Sequence, residues 1–475
     1  MFMILQQRLK QYFSSFRVSH AVLIYAIIRI LSFVTYTHAS VNALIGAGLI
    51  IGFAFLCIKK LPLAWIFLVS EFLLDGSGHF FEIGGYIFRT WILGMFALAW
   101  AWSIWKEKKI PLPQKRFRIP LILVLVAVVW SVIHGFLQGH STILILQDAI
   151  LYFFLLLLFP AIHVKSDIQT YFPILIKGYI AGSAIFSAMT LSIYASGIGT
   201  LPDTYYHWFR NVAAGKITDL GNNFFRIVLP EHLFLVPIIL VLAAYTIRRE
   251  NIPHLWWYQL SALFVLTLNF TRIYILAVVV GLLVLVIHHS FVRWLSTSIQ
   301  IGATTLLMFS SLFLITSHGN SLGLDVLVGR ASGVISPGVE VSGITRLALL
   351  PDIMHTITQH PFIGSGLGAT VTYQDPVQNR EVTRTQFDWG YLEMLAELGI
   401  IGLTIFLLFL IHILIATAKH AYQSPVHAAP YRGLFAGGIA LCIINITTPS
   451  LFYGFGILFF VLLLFLLEKQ APHTS

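Results

Sequence analysis

Charged residues are scarce in this sequence. Only 10% of the 475 residues are Asp, Glu, Lys or Arg, whereas 58% are hydrophobic and the mean hydropathy is +0.86. A soluble domain carries about a quarter charged residues, so this supply cannot build the surface of a soluble protein. The composition predicts a membrane protein whose basic unit is an apolar run of about 20 residues, which crosses roughly 30 Å of hydrocarbon.

Cysteines and catalytic motifs are also sparse. The two cysteines, Cys57 and Cys442, both lie in apolar runs, which excludes a disulfide framework. No CxxC, HExxH, Walker or serine-nucleophile motif occurs, and the 18 histidines lack the spacing of metal ligands. We therefore expect no metal and no cofactor. No signal-peptide cleavage site follows the first apolar run, so the first span is expected to act as an uncleaved insertion signal.

Apolar runs recur along the whole chain and give about fourteen candidate spans. The two that meet at Thr271–Arg272 fit either a helical hairpin or one kinked helix. The sequence therefore predicts an all-α fold, a polytopic membrane helix bundle with about fourteen transmembrane helices and two long periplasmic loops. The candidate spans are 20–36, 41–58, 61–74, 87–105, 118–137, 143–163, 170–194, 231–247, 256–271, 272–290, 298–317, 390–417, 431–448 and 450–468.

Basic residues are distributed unevenly between the connections. If the N-terminus is cytoplasmic, 18 of the 29 Lys and Arg residues fall in short cytoplasmic connections, six of them from Lys106 to Arg118. The positive-inside rule favours this orientation, which predicts an inner-membrane protein with both termini in the cytoplasm. The net charge of +10 then reflects topology and contact with membrane lipids, and no nucleic-acid partner is expected.

Two connections are long, and both fall on the outer side. They divide the chain into an N-terminal transmembrane bundle (1–194), a first long periplasmic loop (195–230), central transmembrane helices (231–317), a large periplasmic loop with an amphipathic helix (318–387) and C-terminal transmembrane helices (388–475). Long loops on a rigid scaffold often carry function. Eight of the nine outer-side basic residues are arginines, which orientation rules do not require.

Three of these arginines, with the motifs around them, are candidates for function. Arg272 lies between two apolar runs, where an arginine is costly and is either functional or an interfacial anchor. Arg210 and Arg226 lie beside aromatic residues in the first long loop. That combination suits sugar and phosphate binding, and it equally suits an interfacial aromatic belt.

Arg346 lies in a segment with the pattern of an amphipathic helix. This helix is predicted to begin or kink at Pro351 and to lie against the outer membrane face, with His355 on its polar stripe. The glycine-rich turn at 360–368 follows it, and its spacing fits either a phosphate cradle or a tight turn near the bilayer. The apolar positions recur at helical spacing: Ile344, Leu347, Leu350, Ile353 or Met354, and Ile357.

Asp388 lies where the second long loop enters a span. It is interpreted as an N-cap, as a general base at the membrane mouth, or as both. Glu393 and Glu397 lie one helical turn apart inside the same span. Because intramembrane carboxylates need partners, we expect them to form structural ion pairs with Arg272 or Arg29.

Three motifs, in this order, resemble those of the O-antigen ligase/polymerase superfamily, bacterial membrane proteins that join or polymerise lipid-linked glycans. Thr271-Arg272 resembles its Ser/Thr-Arg at the outer end of a span. Ser342–Arg346 with His360–Gly368 resembles its external arginine helix and glycine turn. Asp388–Leu403 resembles its "HNxYLxxLaExGxxGL" helix start. The resemblance covers roughly residues 255–470.

The resemblance implies a metal-independent glycosyltransferase that faces the periplasm. Its donor would be a glycan on undecaprenyl pyrophosphate, and its acceptor another glycan or lipid A-core. Ligases of this family usually present His where Asp388 stands, so a polymerase is favoured and a ligase is the alternative. A flippase is more distant, since no internal repeat is found. A chain-length regulator protein is a possible partner.

The resemblance also implies roles for individual residues. Arg272 and Arg346 would clamp the pyrophosphate, because arginine contacts phosphate oxygens with a bidentate fork. Asp388 would deprotonate the acceptor hydroxyl. Contacts with sugar or phosphate are expected from four further residues: Arg210, Arg226, His355 and Tyr391.

Overall fold

The computed structural model describes residues 17–108, 110–163, 165–196, 201–287, 290–335, 341–423 and 428–469. Helices account for 76% of it, which confirms the predicted all-α membrane bundle. The helices in chain order are α1 (Val18–Thr35), α2 (Ala39–Lys59), α3 (Leu61–Leu74), α4 (Phe88–Glu107), α5 (Lys115–Leu137), α6 (Thr142–Phe153), α7 (Leu158–His163), α8 (Lys165–Ser196), α9 (Leu201–Asn211), α10 (Leu235–Arg248), α11 (Leu255–Asn269), α12 (Arg272–Val286), α13 (Phe291–Thr316), α14 (Leu324–Ile335), α15 (Val341–Gln359), α16 (Gly390–Gln423), α17 (Ala428–Ile444) and α18 (Gly454–Lys469).

Many of these helices have the length and composition of membrane spans. Among the described residues, eight segments are long and apolar enough to cross a bilayer: Val18–Thr35, Ala39–Lys59, Lys115–Leu137, Thr142–His163, Tyr171–Ser196, Pro230–Arg248, Phe291–Thr316 and Gly390–Ala421. Four shorter apolar helices accompany them: Leu61–Leu74, Arg272–Val286, Ala428–Ile444 and Gly454–Glu468. The segments Thr142–His163 and Pro230–Arg248 each include a 3₁₀ turn, Phe154–Leu157 and Pro230–Phe234 respectively.

The chain between α11 and α12 breaks sharply, so these are two helices and not one kinked helix. Phe270 closes α11 in a left-handed conformation, with φ of 44°, and Thr271 is extended before α12 begins at Arg272. A left-handed phenylalanine is uncommon and separates the two helices. Arg272 therefore lies at the first position of α12.

The two long loops contain regular structure. The first carries α9 and an antiparallel hairpin of β3 (Lys216–Asp219) and β4 (Phe225–Val228). The second carries α14, α15 and a hairpin of β5 (Val371–Asp375) and β6 (Arg380–Arg384), with Val371 opposite Arg384. A third, smaller hairpin of β1 (Glu82–Ile83) and β2 (Tyr86–Ile87) connects α3 to α4.

Helix α15 packs only part of its predicted apolar face against protein, since Ile353 and Ile357 of that face are buried. Leu347 and Met354, placed on the apolar face, are 44% and 43% exposed. The buried side chains are Leu349, Ile353 and Ile357, which form a small core with residues of the β5–β6 hairpin. The helix covers this hairpin, so its buried stripe is set by the strands. It also runs from Val341 through Pro351, so it does not begin at the proline.

Helix α16 is interrupted near its start. Gly399 has φ of 66° and ψ of −179°, a conformation open essentially to glycine alone. A β-carbon at Gly399 would lie 2.3 Å from the carbonyl oxygen of Phe362, so neither the backbone angles nor the space admits another residue. The glycine-rich turn that follows α15 approaches the helix at this break.

Candidate active site

Four arginines from separate parts of the chain converge on the outer ends of α11 and α12. Arg226 comes from β4, Arg272 from the start of α12, Arg330 from α14 and Arg346 from α15. Their proximity is evident in their electrostatics. Burial, together with the charges of Arg330, Arg272 and Arg346, lowers the pKa of Arg226 to about 10. We call these four residues the arginine cluster.

Lys216 and Arg210 lie at the edge of the arginine cluster. The pKa of the Lys216 amine is lowered by partial burial, and then by the charges of Arg226, Arg210, Arg330 and Arg346. The side chain of Arg210 is exposed at the surface of α9. This arrangement supports Arg226 as a member of the site and leaves Arg210 at its margin.

Arg226 is held against the break between α11 and α12. Its Nε donates a hydrogen bond to the carbonyl oxygen of Asn269 at 2.9 Å, and its Nη2 donates to Oγ1 of Thr271 at 2.8 Å. The carbonyl of Asn269 lies at the end of α11, where helical carbonyls lack partners within the helix. Arg226 thus satisfies that end and is fixed beside Arg272.

Arg330 is a member of the arginine cluster that sequence reasoning missed. Its guanidinium carbon lies 6.0 Å from the ring centroid of Phe270, the residue that turns the chain between α11 and α12. Burial lowers the pKa of Arg330. In the sequence, only its position among the outer-side arginines pointed to a role for Arg330, and no motif distinguished it from Arg380 or Arg384.

The segments that carry Arg346 and Asp388 are joined directly. Nε1 of Trp389 donates a hydrogen bond to the backbone oxygen of Arg346 at 3.2 Å. Asp388 has a left-handed backbone, with φ of 58°. Its carboxylate makes no hydrogen bond or ion pair within the part of the chain that the structure describes, so the capping interpretation is not supported. Next to it, the Phe387 amide donates to Oε2 of Glu393 at 2.9 Å.

The arginine cluster carries an excess of positive charge. Among described residues, the arginine ion pairs with carboxylates involve Arg29, Arg89 and Arg248. Arg226, Arg330 and Arg346 form no such pair there, and the buried Nε of Arg346 has no hydrogen-bond partner among the same residues. Several guanidinium groups without facing carboxylates are an arrangement that favours a multiply charged anion.

The glycine-rich turn is structural, so the phosphate-cradle alternative is wrong. Its amide groups, which a cradle would have to present, are already bound to protein acceptors. The donors and acceptors are Ser365 N to Ala396 O (2.7 Å), Gly366 N to Glu397 O (3.1 Å), Leu367 N to Ser131 O (3.1 Å) and Gly368 N to Asp148 Oδ2 (3.0 Å). In return, Ile400 and Ile401 donate to the carbonyls of Pro361 and Phe362. The turn thus replaces the helical hydrogen bonds lost at the Gly399 break.

The predicted ion pairs of Glu393 and Glu397 are also wrong. Arg29 pairs with Glu231 instead. Oε1 of Glu393 accepts a hydrogen bond from the Tyr453 hydroxyl at 3.1 Å, and Glu397 is hydrogen-bonded to Asp148. Two buried carboxyl groups can share a hydrogen bond when one of them is protonated. The partner of Glu397 was not foreseen because Asp148 belongs to α6, far away in the sequence.

Two predicted substrate contacts lie outside the arginine cluster. His355 is exposed and is nine residues, about two and a half helical turns, from Arg346. It therefore projects from the opposite side of α15. The Tyr391 hydroxyl donates to the carbonyl oxygen of Cys442 at 2.8 Å, which ties the start of α16 to α17. Among the described residues, no group of three or more His, Cys, Asp or Glu side chains is arranged to hold a metal ion.

The central part of the chain matches a known protein family. Residues 257–407 match the family model described as O-Antigen ligase. This segment begins within α11 and ends within α16, and it contains Arg272, Arg330, Arg346 and Asp388, but Arg226 precedes it. Among the curated proteins no match was found. Residues 257–407 are therefore similar to the O-antigen ligase family, which confirms the resemblance of this multi-pass membrane protein to the O-antigen ligase/polymerase superfamily.

Proposed function

We propose that this protein polymerises oligosaccharide repeat units, carried on undecaprenyl pyrophosphate, into a surface polysaccharide such as O-antigen. The observation that carries the proposal is the convergence of Arg226, Arg272, Arg330 and Arg346 beside the segment of Asp388. Glycosyl transfer from a pyrophosphate expels a group with several negative charges. A pre-assembled group of guanidinium ions stabilises that charge as it develops.

In this reaction an acceptor hydroxyl oxygen attacks the anomeric carbon of the donor. The bond between that carbon and the pyrophosphate oxygen breaks, and the lipid pyrophosphate leaves with the electron pair. Asp388 accepts the hydroxyl proton and later releases it to water. The absence of a hydrogen-bond partner for the Asp388 carboxylate among the described residues supports this role. In other enzymes a divalent metal stabilises the negative charge of the leaving pyrophosphate. The arginine cluster would do so here, so we propose a metal-independent reaction.

The acceptor distinguishes the polymerase from its alternative. A ligase of the same family would transfer the glycan to lipid A-core, whereas a polymerase uses a second lipid-linked glycan. Asp388 in place of the histidine usual in ligases favours the polymerase. An assay that offers both acceptors to the purified protein decides between them, and exclusive use of lipid A-core would overturn the polymerase. A chain-length regulator remains a predicted partner.

We place the site on the periplasmic face of the bacterial inner membrane, with both termini in the cytoplasm, because of the distribution of basic residues. In a variant with Cys57 and Cys442 replaced by Ser, an impermeant thiol reagent should label Asn379→Cys in intact spheroplasts. It should not label Lys108→Cys. The opposite pattern would invert the topology.

The catalytic proposal is tested by polymerisation assays on purified variants in the presence of a chelator. Arg346→Lys keeps the charge but loses the planar fork, so the rate should fall on the order of 10²-fold, about 2.7 kcal/mol of transition-state stabilisation. Asp388→Asn removes the base and should lose activity to a similar degree.

The control is Arg380→Lys in the exposed β6 strand, which should leave the rate unchanged. Thermal unfolding in detergent must show that every variant is folded. Stable Arg346→Lys and Asp388→Asn proteins that polymerise at the wild-type rate would overturn the site. Loss of activity on chelation, restored by Mg²⁺, would overturn metal independence.

A further inference from the structure

A deep apolar groove runs through the membrane region directly below the arginine cluster. It lies between α11, α12 and α13 and has a volume of about 450 Å³. It extends along α13 from Trp294 to Phe309, which is about 22 Å at 1.5 Å per residue. At its inner end Nε1 of Trp294 donates a hydrogen bond to the carbonyl oxygen of Leu282 at 2.6 Å, which joins α12 to α13.

The walls of the groove are open to lipid and carry almost no free polar groups. Val279, Leu283 and Leu306 line it and are about half exposed at the protein surface. The hydroxyls of Thr267 and Thr305 donate back to carbonyls of their own helices, and the Ser298 hydroxyl is the one that lacks a hydrogen-bond partner among the described residues of the lining. The walls therefore present methyl groups, and the groove suits a hydrocarbon chain that enters sideways from the bilayer.

The outer end of the groove lies at the arginine cluster. Phe270 and Leu327 line this end. The guanidinium carbon of Arg330, one helical turn beyond Leu327, lies 6.0 Å from the Phe270 ring centroid, and Arg272 follows Phe270 by two residues. A molecule with its chain in the groove would therefore hold its headgroup among the guanidinium groups.

We propose that the groove between α11, α12 and α13 binds the isoprenoid chain of the lipid-linked pyrophosphate donor. The charge at the mouth selects this occupant over an ordinary phospholipid. A phosphodiester headgroup brings one negative charge, whereas a pyrophosphate brings more and matches several arginines. This inference rests on the proposed function, because it assigns a binding site to the lipid part of that donor.

The groove contains a position where it can be filled without a clash. Gly302 of α13 lines it, and a β-carbon added there meets no atom within 4 Å. Gly302→Phe should therefore occupy the groove while leaving the helices in place. Gly302→Leu is a smaller version of the same change. Gly94→Phe in α4 is the matched control, because Gly94 also has open space around its β-carbon and is remote from the groove.

The experiment measures binding of undecaprenyl pyrophosphate, geranyl pyrophosphate and inorganic pyrophosphate to the purified proteins in detergent. Gly302→Phe should weaken binding of undecaprenyl pyrophosphate about tenfold or more, since displacing two methylene groups already costs that much. Its affinity for geranyl pyrophosphate and inorganic pyrophosphate should stay as in the wild type. Gly302→Leu should give a smaller loss, and Gly94→Phe should bind all three normally.

The possible results distinguish failure of the proposed lipid groove from failure of the proposed function. A folded Gly302→Phe protein that binds undecaprenyl pyrophosphate like the wild type would overturn the groove, even if polymerisation is confirmed. A wild type that binds phosphatidylglycerol as tightly as undecaprenyl pyrophosphate would show a general lipid site and overturn the assignment. A wild type that binds no polyprenyl pyrophosphate would overturn the proposed function as well.

Discussion

The arginines of α1 and α4 and those of the arginine cluster lie in opposite electrostatic surroundings. Arg29 pairs with Glu231 and also donates to the carbonyl oxygen of Leu74 at 2.7 Å. Arg89 pairs with Glu71 at 2.6 Å. Arg226, Arg330 and Arg346, in contrast, face one another and form no ion pair with a carboxylate among the described residues.

The difference separates structural arginines from binding arginines. A buried guanidinium needs compensation, and Arg29 obtains it from Glu231 and from aromatic rings. Its guanidinium carbon lies 4.5 Å from the ring centroid of Tyr25 and 4.3 Å from that of Phe186, both favourable cation–π distances. Arg226, Arg330 and Arg346 have no carboxylate partner among the described residues, so their positive charges repel one another. An anionic ligand would relieve that repulsion, which is the physical basis of the binding role proposed for these arginines.

The largest loss of stability is expected when one of the paired arginines is replaced. Arg29→Met leaves the carboxylate of Glu231 buried without its partner, which should lower the free energy of unfolding by about 3–5 kcal/mol. Thermal unfolding in detergent and expression level measure the loss. The control is Arg29→Met combined with Glu231→Gln, which should recover most of the stability. A single variant that unfolds like the wild type would mean that Arg29 is not structural.

The sequence predicted the helical bundle because a membrane span is recognised from a continuous run of apolar residues, without knowledge of long-range contacts. It also predicted functional roles for Arg272, Arg346 and Asp388, because they lie in short motifs of recognisable order. The site as a whole depended on long-range contacts. Arg330 is identified only by the fold, which brings α14 close to Phe270.

Other differences between the sequence predictions and the structure have physical reasons of the same kind. His355 is a predicted substrate contact, and nine residues of helix place it on the opposite side of α15 from Arg346. Glu397 was given an arginine partner, because no sequence pattern connects it with Asp148 on α6. The role of the glycine turn was ambiguous in the sequence, because free amide groups of a glycine-rich backbone can bind either a phosphate or the carbonyl groups at a break in a helix.

A smaller effect on stability and a larger effect on binding are expected for the arginine cluster. Arg330→Met removes a guanidinium that has no carboxylate partner among the described residues, so the melting temperature in detergent should stay the same or rise slightly as repulsion is relieved. Affinity for inorganic pyrophosphate should fall about tenfold, because a hydrogen bond to a charged group contributes about 1.5 kcal/mol or more. Arg380→Met removes the same charge from the exposed β6 strand and should change neither quantity. If Arg330→Met instead unfolds as readily as Arg29→Met while binding pyrophosphate normally, Arg330 is a structural arginine and the distinction between the two sets fails.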